Sequence, residues 1–295
     1  AVVVSDGVWR INLNTLAAQG PEVLTGNMGS YFQQFNACSG IALSPDGSTL
    51  ITCDSFDQQI SIIDTAAWTR TQTVPVGAAH FPVRAVFSGN TRLFVSNRDS
   101  DTISVLDKSG GSWSATGSIP TGDSPTELAL SPDGARLYAI ITGTNPGVAV
   151  INTATQAQTS LISFATNPTI DGIALSPDGS RLYISHSNGA YTISAGGFSI
   201  SQSQTLSVID TATNAVIDTA SSPNLAAGLA IAANGSVLAM PNLMSEGVTL
   251  IPLGSACYAN CDGSTTQPIL NVLDFGCFLN RFAAGDTYAN CDQST

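Results

Sequence analysis

A four-residue turn, Ser-Pro-Asp-Gly, recurs along this chain at nearly constant spacing and constrains the fold more than any other feature. It is complete at Ser44–Gly47, Ser131–Gly134 and Ser176–Gly179, and degraded at Ser88-Gly89-Asn90 and Ala233-Asn234-Gly235. Proline presets φ at the second turn position and glycine accepts the positive φ that follows, so each copy reverses the chain between two strands. Successive turns lie 44, 43 and 45 residues apart, and a longer interval, stretched by an insertion, precedes the last. Around the turn at Ser176 the unit is read most clearly. Ile173–Leu175 runs in, Arg181–Ile184 runs out, and after the insertion Leu206–Ile209 alternates until Asp210-Thr211, whose short side chains bond nearby backbone and turn the chain again. Companion positions keep step: Pro82, Pro125, Pro168 and Pro223 open the strand before the turn, and Asp64, Asp107, Asn152 and Asp210 close the third strand. Each unit is a small antiparallel sheet, too small to bury its own faces. Four-stranded units at a period in the low forties predict an all-β chain folded as a β-propeller.

Five units carry an inner strand. Val2–Val4 and Val8–Leu13 match the second and third strands of one more, and no fourth strand is evident before the composition changes at Gly254. The expectation is a propeller over residues 1–253, with six blades of four antiparallel strands and an incomplete seam, followed by a small loop–helix tail over 254–295. Unpaired strand edges invite strand addition. The seam therefore reads as a self-assembly surface, to be completed by the tail or by a strand from another molecule. The insertion at 188–204, rich in serine with Gly196-Gly197, reads as a rim loop and a further contact surface.

Charge narrows the partners. The net charge is −12, and Lys108 is the only lysine among nine basic residues. Binding nucleic acid needs clustered Lys and Arg to displace counterions, so no nucleic-acid partner is expected, and no apolar run is long enough to span a bilayer. A protein partner, further copies of the chain, or a surface glycan are the partners left. Only 10% of the residues are charged, so the surface is mostly Ser, Thr, Asn, Gln and Gly. With an even number of cysteines, that composition reads as exported and oxidised, a secreted or cell-surface protein. Ala1 reads as a mature terminus left by processing or as a fragment start.

Two of the six cysteines, Cys38 and Cys53, flank the turn at Ser44. Facing residues across this hairpin have numbers totalling about 91 or 92, which sets Cys38 opposite Cys53 at a separation a disulfide can span. A bridge between them is predicted. The other four, Cys257, Cys261, Cys277 and Cys291, lie in the tail and allow three pairings.

Arg181-Leu182-Tyr183-Ile184-Ser185 followed by Thr205–Asn214, and Arg92–Asn97 followed by Thr102–Asp107, resemble the YVTN-type β-propeller repeat. The resemblance covers about residues 1–253. It implies exported and surface-layer propellers mostly without known catalysis; relatives by fold include lactonases and cofactor-dependent dehydrogenases. In the tail, Tyr258–Thr265 returns as Tyr288–Thr295, and between them Leu270–Phe282 reads as a helix capped by Asn271 and Asp274, with Phe275, Phe278, Leu279 and Phe282 in one apolar stripe. This segment resembles a cysteine-containing dockerin-type module, with one loop–helix unit and the opening of a second. Such units hold Ca²⁺ in loops of oxygen ligands, and Asn260, Asp262, Asn271 and Asp274 are the matching oxygens. Five inserted residues, Ser264–Pro268, break the ligand spacing; the alternative is a disulfide-stapled loop in which those residues form turns and caps. If each unit closes its own bridge, Cys261 pairs with Cys277 and Cys257 is left for Cys291.

Catalytic chemistry is thinly supplied. His80 precedes an inner strand near a channel mouth and reads as structural, with metal binding the alternative; His186 ends a second strand in register with Asp54 and Asn97 and reads as a turn or rim residue. No nucleophile, base or paired carboxylate set can be assigned, and no cofactor is required; Ca²⁺ in the tail is the one candidate ion. The expected function is that of a non-catalytic extracellular structural or interaction propeller, assembling into a layer or filament through seam and tail. The alternatives are a lactonase-like or dehydrogenase-like enzyme with a metal at the channel, and a carbohydrate- or protein-binding propeller.

Overall fold

The computed structural model describes residues 2–4, 7–12, 14–15, 17–24, 40–77, 80–164, 168–188, 191–194, 197–200, 203–222, 228–242 and 247–253. Among them the only helical element is a 3₁₀ turn at Arg98–Ser100. Among the described residues the strands form six three- or four-stranded antiparallel sheets in chain order, and one separate two-stranded hairpin is inserted in the fifth. The first holds β1 (Val2–Val4), β2 (Gly7–Ile11) and β3 (Ala18–Leu24). The second holds β4 (Ile41–Leu43), β5 (Thr49–Asp54), β6 (Gln59–Asp64) and β7 (Thr69–Pro75). The third comprises β8 (Pro82–Ser88), β9 (Arg92–Asn97), β10 (Thr102–Ser109) and β11 (Ser112–Pro120). The fourth comprises β12 (Pro125–Leu130), β13 (Arg136–Ile141), β14 (Gly147–Asn152) and β15 (Ala157–Ser163). In the fifth, β16 (Thr169–Leu175) and β17 (Arg181–Asn188) are followed by an added hairpin, β18 (Tyr191–Ser194) with β19 (Gly197–Ile200), before β20 (Ser203–Asp210) and β21 (Ala215–Ser222) complete the sheet. The sixth holds β22 (Ala230–Ile231), β23 (Val237–Pro241) and β24 (Val248–Pro252).

Strands buried on both faces read as nearly continuous apolar runs, and those at the middle of each sheet do. Leu50 and Ile63 turn toward the first sheet, where they meet Val8 and Val23, while Ile51, Cys53, Ile60 and Ile62 turn toward Phe87, Leu93 and Val95 of the third. Phe94, Ile103 and Val105 then pack on Leu137, Ala139 and Ile151 of the fourth sheet. Tyr138, Ile140 and Val150 pack on Ile173, Leu182 and Ile184 of the fifth, and Tyr183 and Leu206 on Leu238 of the sixth. Five apolar clusters thus fill the five gaps between successive sheets.

At one rim the turns lock the strands together. Each Ser-Pro-Asp-Gly aspartate accepts from the serine before it and from backbone after it, as Asp178 does from Ser176 and from the Ser180 amide. The threonine after the third strand reaches back to the turn glycine: Thr65 to the Gly47 carbonyl at 2.6 Å, Thr153 to Gly134 at 2.6 Å and Thr211 to Gly179 at 2.7 Å. The outer strand carries one extra residue opposite the third strand, and at Thr71, Thr116 and Thr159 its hydroxyl bonds the third-strand carbonyl. In the fifth sheet this position is Ile217, half exposed and with no hydroxyl to give.

The hairpin register departs from expectation. Ile41 faces Thr52, Ala42 faces Ile51 and Leu43 faces Leu50, and the Cys53 amide bonds the Gly40 carbonyl at 2.9 Å. Cys53 therefore faces Gly40 and not Cys38, because the four residues between Ser44 and Thr49 all belong to the turn. Cys53 is a buried free thiol in the structure. Cys38, the four tail cysteines and the whole 254–295 tail lie outside the described residues.

The recurring threonine strut is part-buried and neutral, and breaking it takes the side-chain donor from a turn carbonyl. Thr211→Val is expected to lower unfolding free energy by about 1–2 kcal/mol, measured by urea denaturation. An unchanged midpoint would show that the strut does not hold the turn.

Candidate functional site

The other rim, where the inner strands begin and the second strands end, carries the buried polar groups. One position repeats there. Asp54 and Asn97 end their second strands, His186 lies two residues before the end of β17 and Asn242 just follows β23, and each bonds a hydroxyl on the third strand: Asp54 Oδ2 accepts from Ser61 at 2.6 Å, Asn97 Nδ2 donates to Ser104 at 2.8 Å, His186 Nε2 lies 2.8 Å from Ser207 Oγ, and Asn242 Oδ1 accepts from Thr249 at 3.1 Å. In the fourth sheet Ile141 and Ala149 fill the two places, and both are buried. His186 is thus no turn residue. It is a buried strand residue in β17, its ring tilted against Phe164 with centroids 4.7 Å apart. Burial pushes its pKa down and favours the neutral ring.

A histidine within hydrogen-bond reach of a serine has the geometry of a nucleophile and its base. The sister sheets decide against that role. An aspartate, an asparagine and an aliphatic residue fill the histidine's place, and Ser207 itself is buried. The pair is a strut between second and third strands, and position fixes it more than chemistry does.

The inner strands meet around the centre at a second repeated position, four residues before each turn. Here Arg84 of β8 reaches Glu127 of β12 in a two-point ion pair, with Nε to Oε2 at 2.8 Å and the guanidinium NH2 to Oε1. Elsewhere the position is glycine, because the backbones come too close for a side chain: a Cβ on Gly40 would lie 2.4 Å from the Val83 carbonyl oxygen, and one on Gly172 would lie 2.8 Å from Gly228 Cα. Beside Gly172, Asp171 is the extra residue of a bulge, set between Ile170, which faces His186, and Gly172, which faces Ser185. One of its carboxylate oxygens is buried without a partner, and burial raises the carboxyl to about 7. Ser185 and Ser187 also hold buried hydroxyls without partners. By strand alternation these two serines look toward the sixth sheet while His186 looks toward the fourth, so the polar groups of β17 do not converge on one point. The bulge itself recurs, at Val83 of β8 and between Pro125 and Leu128 of β12, so only the carboxylate at that position sets the fifth sheet apart.

Other expected site residues are placed as follows. His80 is half-buried, its ring set where a Cβ on Gly77 would lie, 2.6 Å from the nearest ring atom. Asn260, Asp262, Asn271 and Asp274 fall outside the described residues. Among the described residues no group of three or more His, Cys, Asp or Glu side chains is placed to hold a metal. The hairpin β18–β19 grows from the ends of β17 and β20 and so stands at this same rim.

No family model matches the chain. The seven-bladed β-propeller protein Rv1057 of Mycobacterium tuberculosis is 33% identical over 107 residues, which is 36% of this chain and 27% of that protein. Among solved structures, hydrazine synthase of Kuenenia stuttgartiensis superposes with a TM-score of 0.68 at 21% identity, covering 84% of this chain and 70% of that one. A chain of the mitotic checkpoint complex superposes with a TM-score of 0.63 at 14% identity, covering 83% of this chain and 67% of that one. An enzyme and a protein assembly thus share the fold with this chain, and the fold is a β-propeller.

The folded state holds the Asp171 proton up to about 7, whereas an unfolded chain releases it near pH 4. Unfolding therefore frees a proton between those values, and stability falls as pH rises through that window. Asp171→Asn removes this loss and is expected to gain on the parent steadily from about pH 4 to pH 7, measured by denaturation at a series of pH values. Parallel pH curves for the two proteins would refute the assignment.

Proposed function

We propose that this protein is a non-catalytic, extracellular structural propeller of six blades that associates with other copies of itself across an open seam. The observation that carries the reading is the bare outer face of the sixth sheet. Leu238 and Ile251 face each other and pack toward the fifth sheet, so Leu250, opposite Ala239, and Val248, opposite Pro241, point the other way. They are 64% and 56% exposed, although the matching third strands β6, β10 and β14 are buried along most of their length. Among the described residues β24 is also the last strand of its sheet and offers an edge for strand addition. An apolar face beside an open edge favours another β-sheet as partner. The β18–β19 hairpin and the cysteine-containing tail supply further contacts in this reading, with Ca²⁺ a tail ligand.

A second reading, an enzyme acting at the inner-strand rim, draws on the near-neutral carboxyl of Asp171. Stoichiometric metal in purified protein, lost together with turnover in Asp171→Asn, would favour it over the structural role.

Placing lysine at Val248 and Leu250 together is the direct test of the structural role, since a charged edge resists pairing. The parent protein is expected to form assemblies that grow with concentration in native mass measurements and electron microscopy, and the double variant to stay monomeric. Dispersed monomers of the parent at high concentration, or unchanged assembly of the variant, would sink the proposal.

A further inference from the structure

The residue that opens each second strand faces the residue that closes the third. Arg92 faces Asp107, Arg136 faces Asn152 and Arg181 faces Asp210, but in the second sheet Thr49 faces Asp64. In the third and fifth sheets the pair is an ion pair: Arg92 Nε lies 2.7 Å from Asp107 Oδ1, and a terminal guanidinium nitrogen of Arg181 lies 2.7 Å from Asp210 Oδ2. Threonine is too short to make that contact. Asp64 accepts one backbone bond, from the Ala67 amide at 2.7 Å, and among the described residues it forms no ion pair.

A cleft of ≈ 180 Å³ lies at this place, between the second and third sheets, and Thr49, Asp64, Thr71, Gln72, Lys108 and Trp113 are among the residues lining it. Its far wall comes from the third sheet. Gln72 is committed to that wall, because its side-chain oxygen accepts from the Trp113 amide at 2.9 Å and its nitrogen donates to the Trp113 carbonyl at 2.6 Å. One donor is not committed: the Lys108 ammonium stands 5.9 Å from the Trp113 ring centroid and, among the described residues, no carboxylate is bound to it. One cleft therefore offers an open carboxylate oxygen at the place where sister sheets put a guanidinium, together with an ammonium.

We propose that this cleft binds a guanidinium group carried on a ligand that also bears a carboxylate, as free arginine or an arginine at a peptide carboxyl terminus does. The guanidinium takes the place beside Asp64 that Arg92 and Arg181 fill within their own sheets, donating to the carboxylate. The ligand carboxylate accepts from Lys108. A net charge of −12 draws the cationic end toward the protein, and the single lysine orients the anionic one.

Titration calorimetry on the full chain tests this with four probes: L-arginine, agmatine (no carboxylate), citrulline (no cationic guanidinium) and the peptide Gly-Gly-Arg. L-Arginine is expected to bind in a one-to-one ratio, with agmatine and citrulline each about tenfold weaker or worse, the loss of one charge-assisted contact. Gly-Gly-Arg binding as well as arginine would identify a chain terminus as the source, and weaker peptide binding would identify the free amino acid. Thr49→Arg supplies the missing guanidinium from within, so it is expected to abolish binding while leaving Tm equal or higher. Asp64→Asn is expected to abolish binding as well, and Lys108→Met to bring arginine down to the level of agmatine. Absence of arginine binding to the parent protein, or undiminished binding to folded Thr49→Arg or Asp64→Asn, would overturn the assignment.

Discussion

Each fully described four-stranded sheet in this molecule is apolar on two faces, and a sheet with two apolar faces has to be stacked between two others. A helix or a one-sided sheet can be satisfied by a single neighbour. Here Leu50 and Ile63 bury toward one side of the second sheet while Ile51 and Ile62 bury toward the other, and the same split recurs at Leu93 and Phe94. Burial of each such side chain contributes roughly 1.5–3 kcal/mol, so a sheet left alone forfeits far more than the marginal stability of a domain. Radial stacking follows, and polar chemistry is pushed to the rims, where the strands turn.

At those rims the repeat solves one problem several times with different residues. The buried strut between second and third strands is Asp–Ser, Asn–Ser, His–Ser or Asn–Thr, and in the fourth sheet an apolar pair replaces both members together. That substitution is physically allowed because removing both partners leaves nothing unsatisfied, whereas removing one would strand a buried polar group. Stacking is tight at the turn rim as well. The Asp46 amide donates to Asn90 of the next sheet, and Pro132 crowds Gly179 where a Cβ would lie 2.9 Å away. Gly179, at φ of 74°, meets both demands, positive φ and no side chain toward the neighbour, whereas Gly47, at φ of 71°, answers the backbone demand alone.

Much of this was legible in the sequence. The turn period placed the four-stranded sheets, because turn chemistry is local and proline, aspartate and glycine announce it. Register was less legible. Cys53 faces Gly40 because the turn takes up four residues, and the same letters could close a shorter reversal with different pairing. Of the two readings of His186, turn or rim residue, it does lie toward the rim, but inside β17 and buried, because whether a rim position is wet depends on what covers it, here Phe164. Asp171 stands at a bulge that sister sheets share, at Val83 and between Pro125 and Leu128, so nothing but its carboxylate marks the position in the sequence.

A repeat protein also carries its own controls, and these separate structure from function more surely than any single residue does. Where the sister sheets show the same contact in varied chemistry, as with His186 and Ser207, the contact is architectural. Where one sheet breaks a pattern that the others keep, the break is informative. Ile217 puts an exposed aliphatic side chain where threonine hydroxyls mend the outer-strand bulge, β24 exposes Val248 and Leu250 where other third strands are covered, and Thr49 withdraws the arginine that answers the carboxylate of its facing residue. Two of these departures enlarge apolar surface, on the outer strand of the fifth sheet and the third strand of the sixth, and the last opens a charged cleft between the second and third. The constraint of stacking predicts none of them, and stacking alone would favour restoring all three. The departures therefore mark the places where the sheets have been freed from serving only the fold.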